Sequence, residues 1–291
     1  MTKSCPLCET PAKLWMQNHG RTLLRCPGCG FAWVAEGLAK AEGGHSIYDG
    51  DNPVFFEDGN EAYYLGAPSL VNAGIKLDLM RRHVPAGARV LDVGAGFGHF
   101  VKVAGGHYAV HGIEVSPVAI VWAKDNLGVT LERGTAETLT ATDGSLFDAA
   151  TLWDVIEHVE DPRQALRQVA ERLAPDGIVV LSTPDLGSLV ARLLGRRWYY
   201  LDLIQHVHLF SRKTLGRLLA ESGFTVLSWG SMGHRYELGY VLSRLDYFYG
   251  RSLLGRLLLA PLRAMPAAWL GRQITINPHD VLTVVARKAV P

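Results

Sequence analysis

The stretch RVLDVGAGFGHF, residues 89–100, constrains the fold of this chain more than any other segment. It begins with the apolar residues Val90, Leu91 and Val93, which are typical of a buried parallel strand. Three glycines then follow at alternate positions, Gly94, Gly96 and Gly98. Because glycine turns at positive φ and carries no Cβ, a bound molecule can lie directly against this backbone. The sequence therefore predicts a strand that ends at a ligand, with the Asp92 carboxylate beside it.

Strand and helix patterns alternate along the chain beyond this loop. Strands are predicted at residues 108–115, 129–131, 147–152 and 178–181. Two helices between them begin with an N-cap residue and a first-turn proline, Ser116 with Pro117 and Asp161 with Pro162. This alternation predicts an α/β fold, in which a doubly wound, mostly parallel sheet binds its ligand at the carboxyl ends of the strands.

The four cysteines of the chain form two pairs, each with two residues between its members. The pairs are Cys5 with Cys8 and Cys26 with Cys29. Two such pairs can converge on one tetrahedral zinc ion, and four sulfur ligands leave no open position for catalysis. Disulfides and unpaired structural thiols are the alternatives, and a reducing cytoplasm disfavours the disulfides. We therefore predict a structural zinc ribbon over residues 1–36, with Phe31 and Trp33 packed beside the metal site.

The charge balance limits the classes of partner. The 291 residues include 29 lysines and arginines against 28 acidic residues, and the net charge of +1 gives no electrostatic reason to expect nucleic acid. The first residues, MTKSCPLC, lack the apolar segment of a signal peptide, and no apolar run approaches the length of a membrane-spanning helix. These patterns predict a cytoplasmic protein.

The glycine spacing distinguishes two kinds of nucleotide site. A dinucleotide fingerprint requires a third glycine where this chain has His99, so a dinucleotide oxidoreductase is not predicted. The pattern D-x-G-x-G-x-G instead resembles the first motif of the class I S-adenosylmethionine-dependent methyltransferases. Glu114, the turn GTAETL and the block LFDAATLWDVIEHVEDPRQALRQVAERLAPDGIVVLSTPD complete this resemblance, which covers about residues 60–230. It implies a seven-stranded sheet whose last strand, at residues 280–286, is antiparallel.

The resemblance implies S-adenosylmethionine as the cofactor and suggests which residues bind it. Asp92 and the glycine backbone would hold its amino acid end, and Glu114 would bond its ribose hydroxyls. Trp153 lies where the family lines the methionine and adenine, although core packing explains a tryptophan there equally well. The whole predicted cofactor set is Asp92, Gly94, Ala95, Gly96, Gly98, Glu114, Val115, Ala136, Glu137, Trp153 and Tyr64.

Acidic and histidine side chains follow the strand at residues 147–152. Asp154, Glu157 and His158 are spaced so that one helical turn would bring them to the same face. QHVHLFS later supplies His206 and His208, of which His208 is the predicted fourth member of the set. This set is similar to that of ubiquinone-biosynthesis O-methyltransferases and small-RNA 3′-end methyltransferases, except that Asp154 replaces a glutamate. The four residues could hold a catalytic divalent cation, or His158 or His208 could act as a general base. The same residues cap loops in methyltransferases without a metal, so these roles stay open.

The chain divides into four predicted parts. They are the zinc ribbon at 1–36, a linker with lid helices at 37–84, the methyltransferase domain at 85–230 with 280–291, and a helical cap insertion at 231–279. Residues 192–203 are expected to join this cap over the acceptor site. The cap is apolar with interspersed arginines, so residues 240–272 could contact an anionic membrane surface or could turn their arginines to water.

The patterns together favour methyl transfer, at oxygen, to a small-molecule, glycan or lipid-linked biosynthetic intermediate. RNA methylation is an alternative, suggested by the acidic and histidine set and by the ribbon, but the balanced charge speaks against it. A non-catalytic scaffold that retains the fold is another alternative. The intact glycine loop with Asp92 and Glu114 argues against that loss of the cofactor.

Overall fold

The computed structural model describes residues 3–38, 64–139, 144, 146–250 and 252–289. Most of the predicted linker, including Tyr48, Phe55, Phe56 and Tyr63, lies outside the described residues, as does Arg251.

The strands in chain order are β1 Lys13–Asn18, β2 Arg21–Arg25, β3 Ala32–Val34, β4 Arg89–Val93, β5 Ala109–Glu114, β6 Glu132–Arg133, β7 Phe147–Trp153, β8 Leu173–Pro184, β9 His208–Leu209, β10 Phe224–Ser231, β11 His234–Glu237, β12 Gln273–Ile276 and β13 Val281–Lys288. The helices are α1 Pro68–Met80, α2 His99–Ala104, α3 Pro117–Trp122, α4 Pro162–Arg172, α5 Leu189–Leu194, α6 Arg212–Glu221, α7 Leu238–Tyr249, α8 Leu253–Arg263 and α9 Ala267–Leu270.

Seven strands form the central sheet in the order β10-β13-β8-β7-β4-β5-β6. The strands from β8 to β6 in this order are parallel, whereas β13 runs antiparallel between β8 and β10. This confirms the predicted doubly wound, mostly parallel sheet with an antiparallel last strand. The short strand predicted at 129–131 is instead β6, two residues long. Val129 and Leu131 contribute to a buried cluster with Val101 and Ala123.

Strand β4 shows how the sheet is covered on both faces. Leu91 belongs to a buried cluster with Leu166 of α4. Its neighbour Val90 belongs to another cluster, with Met80 of α1 and Phe100 of α2. Because successive residues of a strand point to opposite faces, a strand buried on both faces is apolar throughout. This explains why Val90, Leu91 and Val93 are apolar, whereas Asp92 is a buried carboxylate within the same strand.

The N-terminal strands form a small sheet that takes its last strand from the main body. Its order is β1-β2-β3-β9, and β9 lies far along the chain, between α5 and α6. Trp33 of β3 pairs with His208 of β9 in antiparallel register. Phe31 is 1% exposed, and its ring centroid lies 5.3 Å from that of Phe210. The N-terminal segment therefore shares both a sheet and a core with the rest of the chain.

The insertion before β13 contains α7, α8 and α9, which we call the cap, residues 238–272. The sequence predicted only helices here, but β11 and β12 pair antiparallel at the base of the insertion. This pairing brings the two ends of the insertion together, with His234 opposite Ile276 and Glu237 opposite Gln273. Within the described ranges, no helix has the length and apolar content that crossing a bilayer requires.

We expect Phe31→Ala to lower the free energy of unfolding by about 3–5 kcal/mol, because it opens a cavity between the N-terminal sheet and Phe210. Equilibrium urea unfolding measures this change. Leu14→Ala is the matched control in the same small sheet, where Leu14 is 62% exposed, and it should cost less than about 0.5 kcal/mol. Equal losses for the two variants would contradict the packing of this sheet on the main body.

Candidate active site

A cavity of about 1060 Å³ lies at the carboxyl ends of β4, β5 and β7 and extends to the cap. The residues that directly follow these strands, Gly94, Val115 and Asp154, all line it. Tyr240 and Arg244 of α7 line it as well. One space is therefore bordered by every residue predicted for the cofactor except Gly98, and by three of the four predicted to activate an acceptor, Asp154, Glu157 and His158.

The glycine loop packs closely against its neighbours. Gly94 has a φ of +70°, and a Cβ at this position would lie 2.5 Å from Cγ2 of Val155. Gly98 has a φ of +75°, and its Cβ would lie 3.1 Å from that of Ala123. Residues 94–96 line the cavity, whereas Gly98 lies outside its lining and precedes α2. The first part of the loop thus presents its backbone to a ligand, and Gly98 permits close packing of α2.

Glu114, the last residue of β5, is held by the backbone around it. Its carboxylate accepts hydrogen bonds from the N–H groups of Gly96 at 2.7 Å and of Val115 and Ser116 at 2.9 Å. The side chain is 4% exposed, and burial raises its pKa while these donors act in the opposite direction. The carboxylate is therefore fixed at the edge of the cavity, next to the glycine loop.

Asp92 has one satisfied and one unsatisfied carboxylate oxygen. Oδ1 accepts a hydrogen bond from the hydroxyl of Thr151 at 2.6 Å. Oδ2 is buried, and no group in the described part of the chain bonds it. Burial raises the pKa of Asp92 to about 7, although the Thr151 bond and the charge of Lys76 lower it. A buried oxygen without a partner at the cavity wall suits a hydrogen-bond donor on a ligand.

The other predicted cofactor residues also line the cavity. They are Tyr64, Ala95, Val115, Ala136, Glu137 and Trp153. Trp153 is 7% exposed and meets Phe100 edge to face at 5.4 Å between ring centroids, so it both packs in the core and borders the cavity. Nζ of Lys76 lies 5.3 Å from the centroid of the Trp153 ring. This part of the cavity thus combines an aromatic wall with one cation and the Asp92 carboxylate.

Glu157, His158 and His206 bring three candidate metal-ligand atoms within 4.8 Å of one another. Nδ1 of His158 lies 2.9 Å from the carbonyl oxygen of Gln205, and Nδ1 of His206 lies 2.8 Å from that of Tyr200. A carbonyl can only accept, so each Nδ1 carries the proton and each Nε2 keeps its lone pair. Backbone carbonyls orient metal-binding histidines in this way.

Burial determines the charge of this cluster. It lowers the pKa of His158 to about 3 and also lowers that of His206, so both imidazoles are neutral near pH 7. Burial and the neighbouring Asp154 raise the pKa of Glu157, which is 1% exposed. Neutral imidazole is the form that binds a metal, and two histidines with one carboxylate form a set that suits divalent transition metals.

Asp154 and His208 do not belong to this group of three, although Asp154 lies close enough to Glu157 to raise its pKa. Asp154 has a φ of +57°, and Oδ1 accepts a hydrogen bond from the hydroxyl of Ser182 at 2.7 Å. Residues 154–160 form turns rather than the helical turn assumed from their spacing. The His208 ring stacks on Phe31 at 5.9 Å between centroids. The structure thus places His206 beside His158, and it places His208 in the core of the N-terminal sheet.

Several lining residues carry no local sequence signal. Asp280, just before β13, is 1% exposed and accepts hydrogen bonds from Trp198 Nε1 at 3.2 Å and from the hydroxyl of Tyr199. Lys76 comes from the middle of α1. Others that sequence reasoning did not assign are Tyr200, Asp202, Met232, His234, Tyr236 and Tyr240. They come from distant segments, so only the fold brings them together.

Comparison with known proteins shows a methyltransferase domain in this chain. The methyltransferase domain family matches residues 73–228. The ubiquinone biosynthesis O-methyltransferase of Chromobacterium violaceum is 28% identical over 179 residues, which cover 55% of this chain and 75% of that protein. The protein of the same name from Aromatoleum aromaticum is 34% identical over 186 residues, which cover 57% of this chain and 78% of its own length.

Solved structures share the fold at low sequence identity. The YcgJ protein of Bacillus subtilis aligns with a TM-score of 0.52 at 19% identity, over 76% of this chain and 99% of its own. An S-adenosylmethionine-dependent methyltransferase of Thermotoga maritima has the same TM-score and identity, over 80% of this chain and 96% of its own. Because the family match extends over more than half of the residues, the chain belongs to the class I S-adenosylmethionine-dependent methyltransferases.

Proposed function

We propose that this methyltransferase methylates an oxygen atom of a small-molecule or lipid-linked biosynthetic intermediate. The observation that carries the proposal is the cluster of Glu157, His158 and His206, which borders the same cavity as the glycine loop. The relatives named ubiquinone biosynthesis O-methyltransferases support an oxygen acceptor on a small molecule.

The donor side of the cavity fits S-adenosylmethionine. The unsatisfied oxygen of Asp92 would accept a hydrogen bond from the ammonium group, and Glu114 would accept from the ribose hydroxyls. When bound, the cofactor supplies an electrophilic methyl group on its sulfonium. The protein would position the acceptor, because a nucleophile held in line with that methyl reacts far faster than one that must diffuse to it.

The acceptor side fits a divalent cation. Glu157 would bind it through a carboxylate oxygen, and His158 and His206 would bind it through Nε2. Bound by these residues, a cation would supply the Lewis acidity that lowers the pKa of an acceptor hydroxyl and favours its oxygen nucleophile near neutral pH. The carbonyls of Gln205 and Tyr200 keep both imidazoles in the tautomer that this role requires.

The charge of the cavity favours neutral or cationic acceptors over RNA. Lys76 and Arg244 are the cationic lining residues among those described. The carboxylates that line it are Asp92, Glu114, Glu137, Asp154, Glu157, Glu160, Asp161, Asp202 and Asp280. Such an excess of acidic groups repels the phosphates of a nucleic acid. Rings of Tyr236 and Tyr240, stacked at 5.9 Å, offer an apolar surface to an uncharged acceptor.

We further propose that the four cysteines hold one structural zinc ion. Their sulfur atoms all lie within 4.8 Å of one another, and the chain has no disulfide among them. Four thiolates close the coordination sphere of zinc, so this ion would stabilise the N-terminal sheet without entering the reaction.

We expect S-adenosylhomocysteine to bind more tightly as the pH rises. Asp92 is largely protonated below its pKa of about 7, and only the ionised carboxylate attracts the ligand ammonium. If binding requires that form, the affinity rises by about eightfold between about pH 6 and pH 7.5. Isothermal titration calorimetry across this range measures the slope.

Asp92→Asn should bind more weakly and should lose this pH dependence. Asp148→Asn, an exposed position at the start of β7, is the matched control and should keep the slope of the unaltered protein. Absence of any S-adenosylhomocysteine binding by the folded protein would refute the proposed function as a whole. A slope that persists in Asp92→Asn would refute the role of Asp92 alone.

We expect the folded protein to bind Mn²⁺ at the cluster of Glu157, His158 and His206, which we call the acceptor cluster. After removal of loosely bound metal, His206→Gln should lose this ion, because it removes one of the three ligands. His208→Gln is the matched control two residues away, since His208 lies against Phe31 rather than in the cluster. Electron paramagnetic resonance of Mn²⁺ reports occupancy independently of activity. Equal loss in both variants, or retention in both, contradicts the assignment.

We expect one zinc ion per chain to survive dialysis. Cys8→Ser should lose it, because three thiolates hold zinc less tightly than four. Inductively coupled plasma mass spectrometry measures the zinc content of the purified protein. His206→Gln should retain full zinc content, since it alters only the acceptor cluster. Full zinc content in Cys8→Ser would rule out the four-cysteine site.

A further inference from the structure

The most exposed apolar side chains of the described residues lie on two short helices. They are Leu189 and Leu193 of α5, at 69% and 76% exposed, and Leu253, Leu257 and Leu258 of α8, at 75%, 66% and 64%. We call these five side chains the leucine surface. Leu189 and Leu193 are four residues apart, as are Leu253 and Leu257, so each pair lies on one side of its helix, and Leu258 directly follows Leu257. Large apolar side chains exposed to this extent, and confined to two helices, indicate a surface that a membrane or a partner protein covers.

Arginines accompany the leucine surface, and acidic residues are nearly absent. Residues 189–197 contain three arginines and no acidic residue. The cap contains five arginines and one acidic residue, Asp246, which pairs with Arg263. Because the whole chain has a net charge of only +1, the positive charge is concentrated on these two segments. Leucines bordered by arginines match the acyl region and the anionic headgroups of a bilayer.

The cavity lies next to both segments. Tyr199, shortly after α5, and Phe248, at the end of α7, both line it. Their ring centroids are 6.4 Å apart, so the two segments meet at this point of the cavity wall. Phe248 is also 39% exposed, and the cavity therefore reaches the surface at this point. An acceptor with an apolar tail could keep the tail in the bilayer while its head group reaches the cluster.

We propose that the leucine surface and its arginines dock this enzyme on an anionic lipid bilayer, from which a lipid-linked acceptor enters the cavity. The second half of this statement rests on the proposed function. A second copy of the chain suits the surface poorly, because a symmetric contact would bring the arginines of both copies together. A bilayer of acidic lipids offers the opposite charge.

Sedimentation with lipid vesicles tests the docking without knowledge of the acceptor. We expect the full chain to bind vesicles that contain phosphatidylglycerol at least tenfold more tightly than vesicles of phosphatidylcholine alone, with weaker binding at high salt. The fourfold variant Leu189→Ser, Leu193→Ser, Leu253→Ser and Leu257→Ser should bind the acidic vesicles at least tenfold more weakly. Arg192→Gln with Arg196→Gln should reduce the preference for acidic vesicles.

The control variant is Leu14→Ser with Val121→Ser, which removes leucine and valine side chains that are 62% and 58% exposed elsewhere. It should bind vesicles like the unaltered protein. Calorimetry with S-adenosylhomocysteine checks that every variant keeps its fold, and it separates this proposal from the function of the site. The proposal would be overturned if the fourfold variant bound acidic vesicles as tightly as the unaltered protein does. A leucine-dependent dimer in light scattering that binds no vesicles would also overturn it.

Discussion

The backbone carbonyl of Glu157 accepts hydrogen bonds from the N–H groups of Val207 and His208, at 2.9 and 3.1 Å, and the acceptor half of the site depends on this junction. The carbonyl of Val207 in turn accepts from the N–H of Val34, in the N-terminal sheet, at 2.9 Å. Buried backbone groups must be paired, so these bonds fix the relative position of three segments. His206 directly precedes the junction, and its ring lies 4.8 Å from that of His158.

The N-terminal sheet is therefore an integral part of the enzyme and helps to position the site. Its core is continuous with the segment that leads to His206, since Leu23, Val34, Val207 and Leu209 belong to one buried cluster. A zinc ion at the cysteines, as proposed, would order the loops that precede and follow the hairpin of β1 and β2. Stability gained there would reach the acceptor cluster through β3 and β9. This gives a physical reason for the proposed structural zinc site in a methyltransferase.

Burial of charge shapes the two halves of the cavity differently. On the donor side, Glu114 is surrounded by N–H donors, and Asp92 keeps one oxygen for a ligand. On the acceptor side, burial keeps two histidines neutral and opposes ionisation of Glu157. A cationic cofactor and a divalent ion would offset the acidic character of this cavity, which otherwise costs free energy on folding. The cap contributes aromatic side chains to the lining of the same cavity.

Local patterns in the sequence determined the sheet, the glycine loop and the paired cysteines, because each depends on residues close together in the chain. Asp92 and Glu114 were predicted at a shared edge for the same reason, since parallel strands end on one side. Spacing alone could not decide between His206 and His208. Both histidines are suitable ligands, and the fold separates them, because β9 pairs His208 with Trp33 whereas His206 lies beside His158. Lys76, Asp280 and the tyrosines of the cap reach the cavity only because distant segments pack together, and side-chain packing of that kind leaves no periodic pattern in a sequence.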